Sequence, residues 1–545
     1  MIYCTKENYY ELRFGDVGML KNKVLGLEEN GLGLINKIIT LFTILLLTVF
    51  PLIYHDFYFD ILVVKYQFFY ISILLMTSLI IISIFYLLMK TGKKHKRELL
   101  SEIFESYFYK LNITDLAMIA FVTISLVSTL FSYYKYESFW GNEGRYSGLF
   151  LIIIYGVTYF IISRGTNYSK ILINLFICSS MLVCMLGILD YFRLDLLGFK
   201  KNILEEQYDM FTSTIGNINT YTAYLSLVIG ITTVLFTKAK TIKSAIWYYV
   251  SMIISFFAIL MGLSDNAYLA LGALFAFLPL NLFKDRQGLK RYLVSLTSFF
   301  YVIYILSVIN NRMLDWVIKM SGILENISSF SGFNFILIFL TLICLLIYIY
   351  DYFRKEDYGY GKKLQIIWAA CLVVVSAIIV IVLLDANVVG NQSRYGALDN
   401  YLIFNDDWGT HRGYIWRIGF ESYSKLPFIH KLFGHGPDTF GLMASLGRYT
   451  EMTTKYNEYF DSAHNEYLQY LFTIGPIGLL SYITFLISFC VNMIKGSKKD
   501  PYIMALLYAV ICYSIQAVVN ISLPISTPVF IVLIAIGMSG IRKQN

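Results

Sequence analysis

Long apolar runs recur along most of the chain, separated by shorter segments that carry most of the charged residues. A helix needs about 20 predominantly apolar residues to cross a hydrocarbon core about 30 Å thick. The runs of roughly this length lie at 34–54, 68–89, 113–132, 147–163, 171–190, 217–236, 245–261, 267–283, 292–309, 334–352, 365–384, 467–492, 502–520 and 528–541. The pattern therefore predicts an all-α polytopic membrane protein with about fourteen transmembrane helices.

Composition agrees with this class and excludes several others. Of the 545 residues, 57% are hydrophobic and only 15% are charged, whereas soluble domains carry about 25% charged residues. A cytosolic enzyme, a secreted disulfide scaffold and a disordered protein are all excluded. The seven cysteines show no C-x2-C or similar metal-ligand spacing, so we expect buried thiols that behave as small hydrophobes.

Lysine and arginine are distributed unevenly between the two sets of connecting segments. The segments 1–37, 90–110, 164–170, 238–243, 284–291, 354–363, 495–499 and 542–543 hold 29 of the 44 basic residues. Cytoplasmic loops carry this excess in membrane proteins, so both termini are expected in the cytoplasm. The net charge of +8 then follows from topology, and we expect no nucleic-acid partner.

This orientation divides the chain into four parts. They are a cytoplasmic leader (1–33), transmembrane helices 1–11 (34–384), a long extracytoplasmic loop (385–466) and transmembrane helices 12–14 (467–545). A structureless loop of that length is uncommon in a compact protein, so the loop should fold against the membrane surface. Thr410 can cap an amphipathic helix over about 410–424 that lies in the interface. Its expected apolar contacts are Ile415, Trp416, Phe420 and Tyr423.

The first motif in the loop surrounds Arg412, within Gly409–Arg417. An arginine in the first turn of a helix suits a phosphate or pyrophosphate, because the free N–H groups and the helix dipole already favour anions. An arginine that reaches to lipid headgroups would look the same in sequence.

Two further motifs lie in or next to the loop. Asp461–Tyr470 places His464 at the outer mouth of a membrane helix with a carboxylate on each side within three residues. Imidazole can accept a hydroxyl proton near neutral pH, although contact with headgroups is an equal alternative. The glycine-rich segment Gly434–Phe440 reads as a turn in which Asp438 could orient a neighbour.

Other polar clusters belong to the same expected face. They are Trp140–Gly148, Ser213–Asn219 and Ser264–Asn266. Each alone is typical of a turn, but their shared side suggests one polar pocket.

Five strings in these segments resemble the O-antigen ligase and O-antigen polymerase superfamily of bacterial membrane glycosyltransferases, over roughly 140–480. They are Gly141–Leu149, Gly216–Asn219, His411–Trp416, Gly434–Phe440 and His464–Gln469. The resemblance implies a GT-C-like fold in the bacterial cytoplasmic membrane. It also implies transfer of a glycan from an undecaprenyl pyrophosphate carrier to a hydroxyl of a glycan or lipid-glycan acceptor at the outer face, in surface polysaccharide biosynthesis. No metal or cofactor would be required, and the transfer would be a single displacement with inversion.

The resemblance also assigns residue roles. His464 corresponds to the base, Arg412 to an arginine engaging the pyrophosphate, and Arg145 to a second cationic contact. The remaining candidate substrate-binding residues are Asn217, Trp416, Arg417, Asp438 and Asn465. The chain departs from the family pattern at Ser462, where members often carry histidine, and at Ser264–Asp265–Asn266, where many carry an arginine.

Other functions stay open at this point. A flippase for lipid-linked oligosaccharides would place charges near the bilayer midplane, and few are found inside the runs. A peptidoglycan-type polymerase and a structural assembly protein are further alternatives. The sequence does not distinguish ligase from polymerase, although its richness in Ile, Lys, Asn, Tyr and Phe suits an AT-rich, one-membrane bacterium without a lipopolysaccharide acceptor.

Overall fold

The computed structural model describes residues 33–92, 95–108, 111–353, 361–391 and 394–544. The predicted leader, 1–33, lies outside the described residues except for its last position. The described chain is almost wholly helical, with one two-residue antiparallel pair, β1 (Phe211–Thr212) and β2 (Gly216–Asn217).

The helices follow in chain order. The first twelve are α1 (Gly33–Thr48), α2 (Ile61–Lys90), α3 (Lys96–Phe108), α4 (Ile113–Phe131), α5 (Lys135–Trp140), α6 (Leu149–Gly165), α7 (Lys170–Tyr191), α8 (Ile218–Lys238), α9 (Ile242–Met261), α10 (Asn266–Phe277), α11 (Pro279–Leu282) and α12 (Arg286–Arg312). The others are α13 (Gly322–Ser329), α14 (Phe333–Phe353), α15 (Gly361–Leu384), α16 (Asp399–Leu402), α17 (Trp408–Ser424), α18 (Phe428–Phe433), α19 (Phe440–Ser445), α20 (Tyr449–Tyr456), α21 (Glu466–Gly496), α22 (Pro501–Gln516) and α23 (Thr527–Gln544).

Ten helices in the described part are long and apolar enough to cross a membrane: α2, α4, α7, α8, α9, α12, α14, α15, α21 and α22. Three shorter apolar helical segments correspond to α1, α6 and the pair α10–α11. The last predicted run, 528–541, falls within α23. Every predicted apolar run thus lies on a helix, and the prediction of an all-α polytopic membrane protein is confirmed.

Helix α8 forms the centre of the bundle. Every residue from Thr220 to Thr237 is buried, and α8 packs mainly on α22 and α9. Close approach to α22 depends on Gly230, because a Cβ there would lie 2.7 Å from the backbone nitrogen of Ala509. Small residues play this role at helix contacts in membranes. In contrast, α15 has no fully buried residue, and apart from Leu364 and Trp368, which pack partly on the core, its apolar side chains face outward.

The long segment after α15 folds into short helices, as expected. Helices α17, α19 and α20 enclose a separate small core that includes Tyr414, Ile418, Phe440 and Met452. The predicted surface helix is present as α17, but the predicted Thr410 cap is wrong. Gly409, Thr410 and His411 all have positive φ, and no side chain caps the helix. The regular helix therefore begins at Arg412.

The two ends of the bundle carry different polar groups. At one end, Asp115 at the start of α4 accepts hydrogen bonds from Arg164 Nη2 (3.0 Å), Arg542 Nη2 (2.7 Å) and the Tyr159 hydroxyl (2.7 Å). The opposite end of α4 leads into the 132–148 connection, which meets the segment before α21. This second end contains the candidate site.

Candidate functional site

A kink in α21 docks the glycine-rich turn that precedes α19. Pro476 has no N–H to bond the Phe472 carbonyl, and Gly475 has a φ of 77°. The Phe472 carbonyl accepts from His435 N (3.3 Å) and the Thr473 carbonyl accepts from Gly436 N (2.9 Å). The turn thereby pairs two carbonyls that the kink leaves without helical partners.

This docked turn places Asp438 next to the connection between α5 and α6. Its Oδ2 accepts from the backbone N–H groups of Asn142 (2.7 Å) and Ser147 (3.0 Å). Burial raises the pKa of the Asp438 carboxyl to about 7, although the two N–H groups favour the charged form. Asp438 therefore positions the segment that carries Arg145.

Arg145 is paired by a carboxylate that lies 316 residues away in the chain. Its Nε and Nη2 each donate to Asp461, at 2.8 Å. Such a two-point pair fixes the plane of the guanidinium group. Arg145 is thus a positioned cation whose charge is largely balanced.

His464 is held between two anchoring contacts. Trp416 Nε1 donates to the Ala463 carbonyl at 2.9 Å, while the Asn465 side chain caps α21 by accepting from the N–H groups of Tyr467 and Leu468. His464 itself has a φ of 45°. Trp416 and Asn465 therefore act on the histidine through the backbone on either side of it.

A cavity of about 240 Å³ opens in front of His464. Its polar lining comes from four distant parts of the chain: Arg145, Asn217, Asn219, His464 and Asn520. Asn219 Oδ1 accepts from Ser264 (2.7 Å) and Asn266 (3.1 Å), so the cluster predicted at Ser264–Asn266 supports the same wall. The sequence expectation of one shared polar pocket is met for these clusters.

Arg412 does not line this cavity, but its charge acts on His464, and it is held differently from Arg145. Its terminal nitrogens donate to the carbonyls of Gly409 and Val519, the latter at 3.0 Å, and Val519 adjoins the cavity residue Asn520. Its buried Nε has no hydrogen-bond partner. Within the described residues no carboxylate forms an ion pair with it, although Asp265 lies close enough to stabilise its charge while burial lowers its pKa. Carbonyl dipoles orient this cation without neutralising it.

Burial, followed by the charges of Arg145 and Arg412, lowers the pKa of His464 to about 4, against an opposing effect of Asp461. The ring is therefore neutral at pH 7 and free to accept a proton. An anion bound by the arginines would offset their effect and raise the pKa of His464. The arrangement can bind an anionic group and deprotonate a neighbouring hydroxyl.

Residues 327–483, which include α14, α15, Arg412 and His464, match the Wzy_C family model, described as O-antigen ligase. This match supports membership of the O-antigen ligase superfamily. No curated protein matches the chain. O-antigen ligases act on lipid-linked glycans in membranes, so membership implies a glycosyltransferase-like activity for this multi-pass membrane protein.

Of the predicted site residues, Arg145, Asn217 and His464 line the cavity, and the contacts described above link Arg412, Trp416, Asp438 and Asn465 to the lining segments. Arg417 makes its contacts elsewhere. Arg417 Nε and Nη2 each donate to Asp406 at 2.9 Å, and its Nη1 donates to Glu421 at 3.0 Å. Arg417 does not line the cavity. These contacts tie α17 to the segment before it.

The sequence did not predict three residues of this candidate site. Asp461 was noted only as a carboxylate near His464, yet it pairs with Arg145. Asn219 and Asn520 line the cavity. Asn219 belongs to the Gly216–Asn219 string, whereas Asn520 is the last residue of the apolar run 502–520 and carries no local signal.

Behind Arg145 lies a small cavity of about 30 Å³. Glu466 Oε1 accepts from the Tyr482 hydroxyl at 2.6 Å, while Glu466 Oε2 and the hydroxyls of Tyr155 and Ser462 have no hydrogen-bond partner among the described residues. All three residues line this cavity. One water molecule fits such a space and could satisfy these atoms.

No metal chemistry is indicated within the described residues. They contain no group of three or more His, Cys, Asp or Glu side chains that could hold a metal ion. The described cysteines are all free. The cavity offers amides, the guanidinium group of Arg145 and one imidazole, a donor set suited to an anionic, hydroxyl-rich ligand.

Proposed function

We propose that this protein transfers a glycan from an undecaprenyl pyrophosphate carrier to an acceptor hydroxyl on a glycan or lipid-glycan, in surface polysaccharide biosynthesis. The observation that carries the proposal is a neutral His464 that lines the cavity and feels the charge of Arg412, an arginine that no carboxylate among the described residues pairs with. A pyrophosphate supplies the missing negative charge. The amides of Asn217, Asn219 and Asn520 offer hydrogen bonds to sugar hydroxyls.

The reaction is a single displacement. The acceptor oxygen attacks the anomeric carbon as its proton passes to His464. The bond between that carbon and the pyrophosphate oxygen breaks, and undecaprenyl pyrophosphate leaves with the bonding electrons. Arg412 stabilises the charge that grows on the leaving oxygen, with Arg145 as the second cationic contact.

Such a displacement inverts the anomeric centre. NMR of the donor and the product gives the configuration of the transferred sugar before and after reaction. We expect opposite configurations, and retention would overturn the single displacement.

The site should face the outside of a bacterial cytoplasmic membrane. It lies at the helix ends opposite those followed by the lysine-rich and arginine-rich segments, which the charge rule assigns to the cytoplasm. Both termini are then cytoplasmic. The GT-C-like class implied by the resemblance belongs to the same proposal.

A flippase is less well supported. In the described part of each membrane-length helix, the charged residues lie near a helix end, as Asp115, Lys238 and Glu466 do. Transporters place such groups near the bilayer midplane. The chemistry here is gathered at one end of the bundle.

The proposal is tested in the native cell with His464→Ala at normal membrane levels. Undecaprenyl-linked glycans should accumulate at the outer face, as single repeats if the protein is a polymerase and as long chains if it is a ligase. Unchanged lipid-linked glycans and unchanged surface polymer would overturn the role of His464.

A further inference from the structure

A second concave site lies at the other end of the bundle from His464. It is a cavity of about 260 Å³ formed by the connections after α8, around α11 and between α21 and α22. Helix α8 itself links the two sites, because Asn217 caps its first turn and Lys238 ends it. At 1.5 Å per residue these ends are about 30 Å apart, so the two cavities are separate.

Five lysines line this second cavity: Lys238, Lys240, Lys284, Lys498 and Lys499. They come from three connections that are distant in sequence, so their convergence is a property of the fold. A cytoplasmic loop has a general excess of lysine, but that excess does not require the side chains to surround one cavity. We call this group the lysine pocket.

The two carboxylates near the lysine pocket, Asp285 and Asp500, already accept hydrogen bonds from other groups. Asp285 caps α12 by accepting from Gly288 N (2.6 Å) and reaches Lys238 Nζ only at 3.7 Å. Asp500 accepts from the Tyr168 hydroxyl (2.8 Å) and from Tyr502 N (2.9 Å). Among the described residues, the other four lysines of the pocket form no ion pair. Five ammonium groups around one cavity repel one another unless an anion lies between them.

We propose that the lysine pocket binds the phosphate of an anionic membrane lipid headgroup. The volume is several times the roughly 30 Å³ that a water molecule occupies in the liquid, which leaves room for a phosphate group. Ile494, Pro501 and Met504 form an apolar side of the same cavity. The cavity lies where α8 and α21 end and α22 begins, and the ends of membrane-spanning helices lie near the lipid headgroups. Basic pockets between helix ends on the cytoplasmic side bind such headgroups.

The test compares lipid binding by two variants of equal charge. The triple variant Lys284→Gln, Lys498→Gln, Lys499→Gln removes three charges from the pocket. The control Lys362→Gln, Lys363→Gln, Lys543→Gln removes three exposed lysine charges from the same end of the bundle, outside the pocket. Titration of the purified full-length proteins with cardiolipin, phosphatidylglycerol and phosphatidylcholine, followed by native mass spectrometry, gives the apparent affinities.

We expect the wild-type protein and the control to bind the two anionic lipids at least tenfold more tightly than the pocket variant does, with no difference for phosphatidylcholine. Equal losses in both variants would overturn the site, since they would indicate a general basic surface. A second measurement compares the melting temperatures of the same proteins with and without pyrophosphate in solution. If it raises the melting temperature of the wild-type protein but not of the pocket variant, while anionic lipid binds both equally, the assignment to a lipid is wrong. None of these measurements depends on the proposed transfer reaction.

Discussion

The charges of Arg145 and Arg412 both act on His464, but the two arginines differ in what balances their own charge. Arg145 faces the Asp461 carboxylate at two points, whereas Arg412 is held by carbonyl oxygens. A guanidinium group that is oriented but not neutralised gains the most electrostatic stabilisation when an anion binds to it. At the residue scale, Arg412 is therefore the cation on which the proposed donor depends most.

Arg412→Gln should lower kcat/KM for a lipid-pyrophosphate donor by about 10²–10³, the usual cost of losing one group that stabilises transition-state charge. Kinetics with purified protein measure this. Arg394→Gln is the matched control, because it removes one exposed arginine of the same long segment. Equal effects of the two changes would contradict the role of Arg412.

The pH dependence of the reaction follows from His464. Because its pKa is about 4 in the free protein, kcat/KM should fall only as the pH drops towards that value, where the base becomes protonated. The acid limb of the pH profile of kcat should lie at higher pH than that of kcat/KM, since the bound pyrophosphate raises the pKa of His464. Arg412→Gln removes one of the charges that lower this pKa and should move the acid limb of kcat/KM upward. An acid limb that is unchanged in this variant would argue against His464 as the base.

At the scale of elements, the site depends on the kink of α21 and on the turn that docks against it. Gly434 has a φ of 78°, and a Cβ there would lie 2.2 Å from the Thr473 carbonyl carbon. Because the turn then continues to Asp438 and on to the Arg145 segment, a displaced turn would affect the whole site.

Gly434→Ala should therefore lower the free energy of unfolding by at least about 2 kcal/mol and reduce activity, measured by thermal unfolding in detergent and by transfer assay. Gly447→Ala tests backbone strain alone, because Gly447 also has a positive φ (74°) but open space around it. We expect Gly447→Ala to lower the free energy of unfolding by only about 1 kcal/mol. Similar losses in both variants would show that the docking contact contributes nothing.

The sequence predicted the spans well and the site only in part. Hydropathy alone locates each apolar run, because the bilayer demands about 20 apolar residues whatever the neighbouring helices are. His464, Arg145 and Asn217 could be grouped by their shared side of the membrane. The pairing of Arg145 with Asp461 could not be predicted, since local patterns carry no information about contacts hundreds of residues apart. The Thr410 cap failed because three residues with positive φ replace the expected helix start.

At the scale of the whole molecule, the proposed topology places the His464 end of the bundle on the outer side of the membrane. In a cysteine-free background, Lys425→Cys places a thiol in the segment after α17, and Lys363→Cys places one at the start of α15. In spheroplasts, a membrane-impermeant maleimide should label the first, and should label the second only after permeabilisation. The reverse pattern would invert the proposed topology.

The most direct test of the central claim is glycan transfer by the purified protein. Wild-type protein in lipid vesicles is given an undecaprenyl-pyrophosphate-linked glycan and a hydroxyl acceptor, and lipid-linked and acceptor-linked glycan are separated and measured over time. The account predicts that acceptor-linked glycan and free undecaprenyl pyrophosphate form in equal amounts, and that His464→Ala abolishes both. Movement of intact donor across the bilayer without transfer, or transfer by His464→Ala at the wild-type rate, would contradict it.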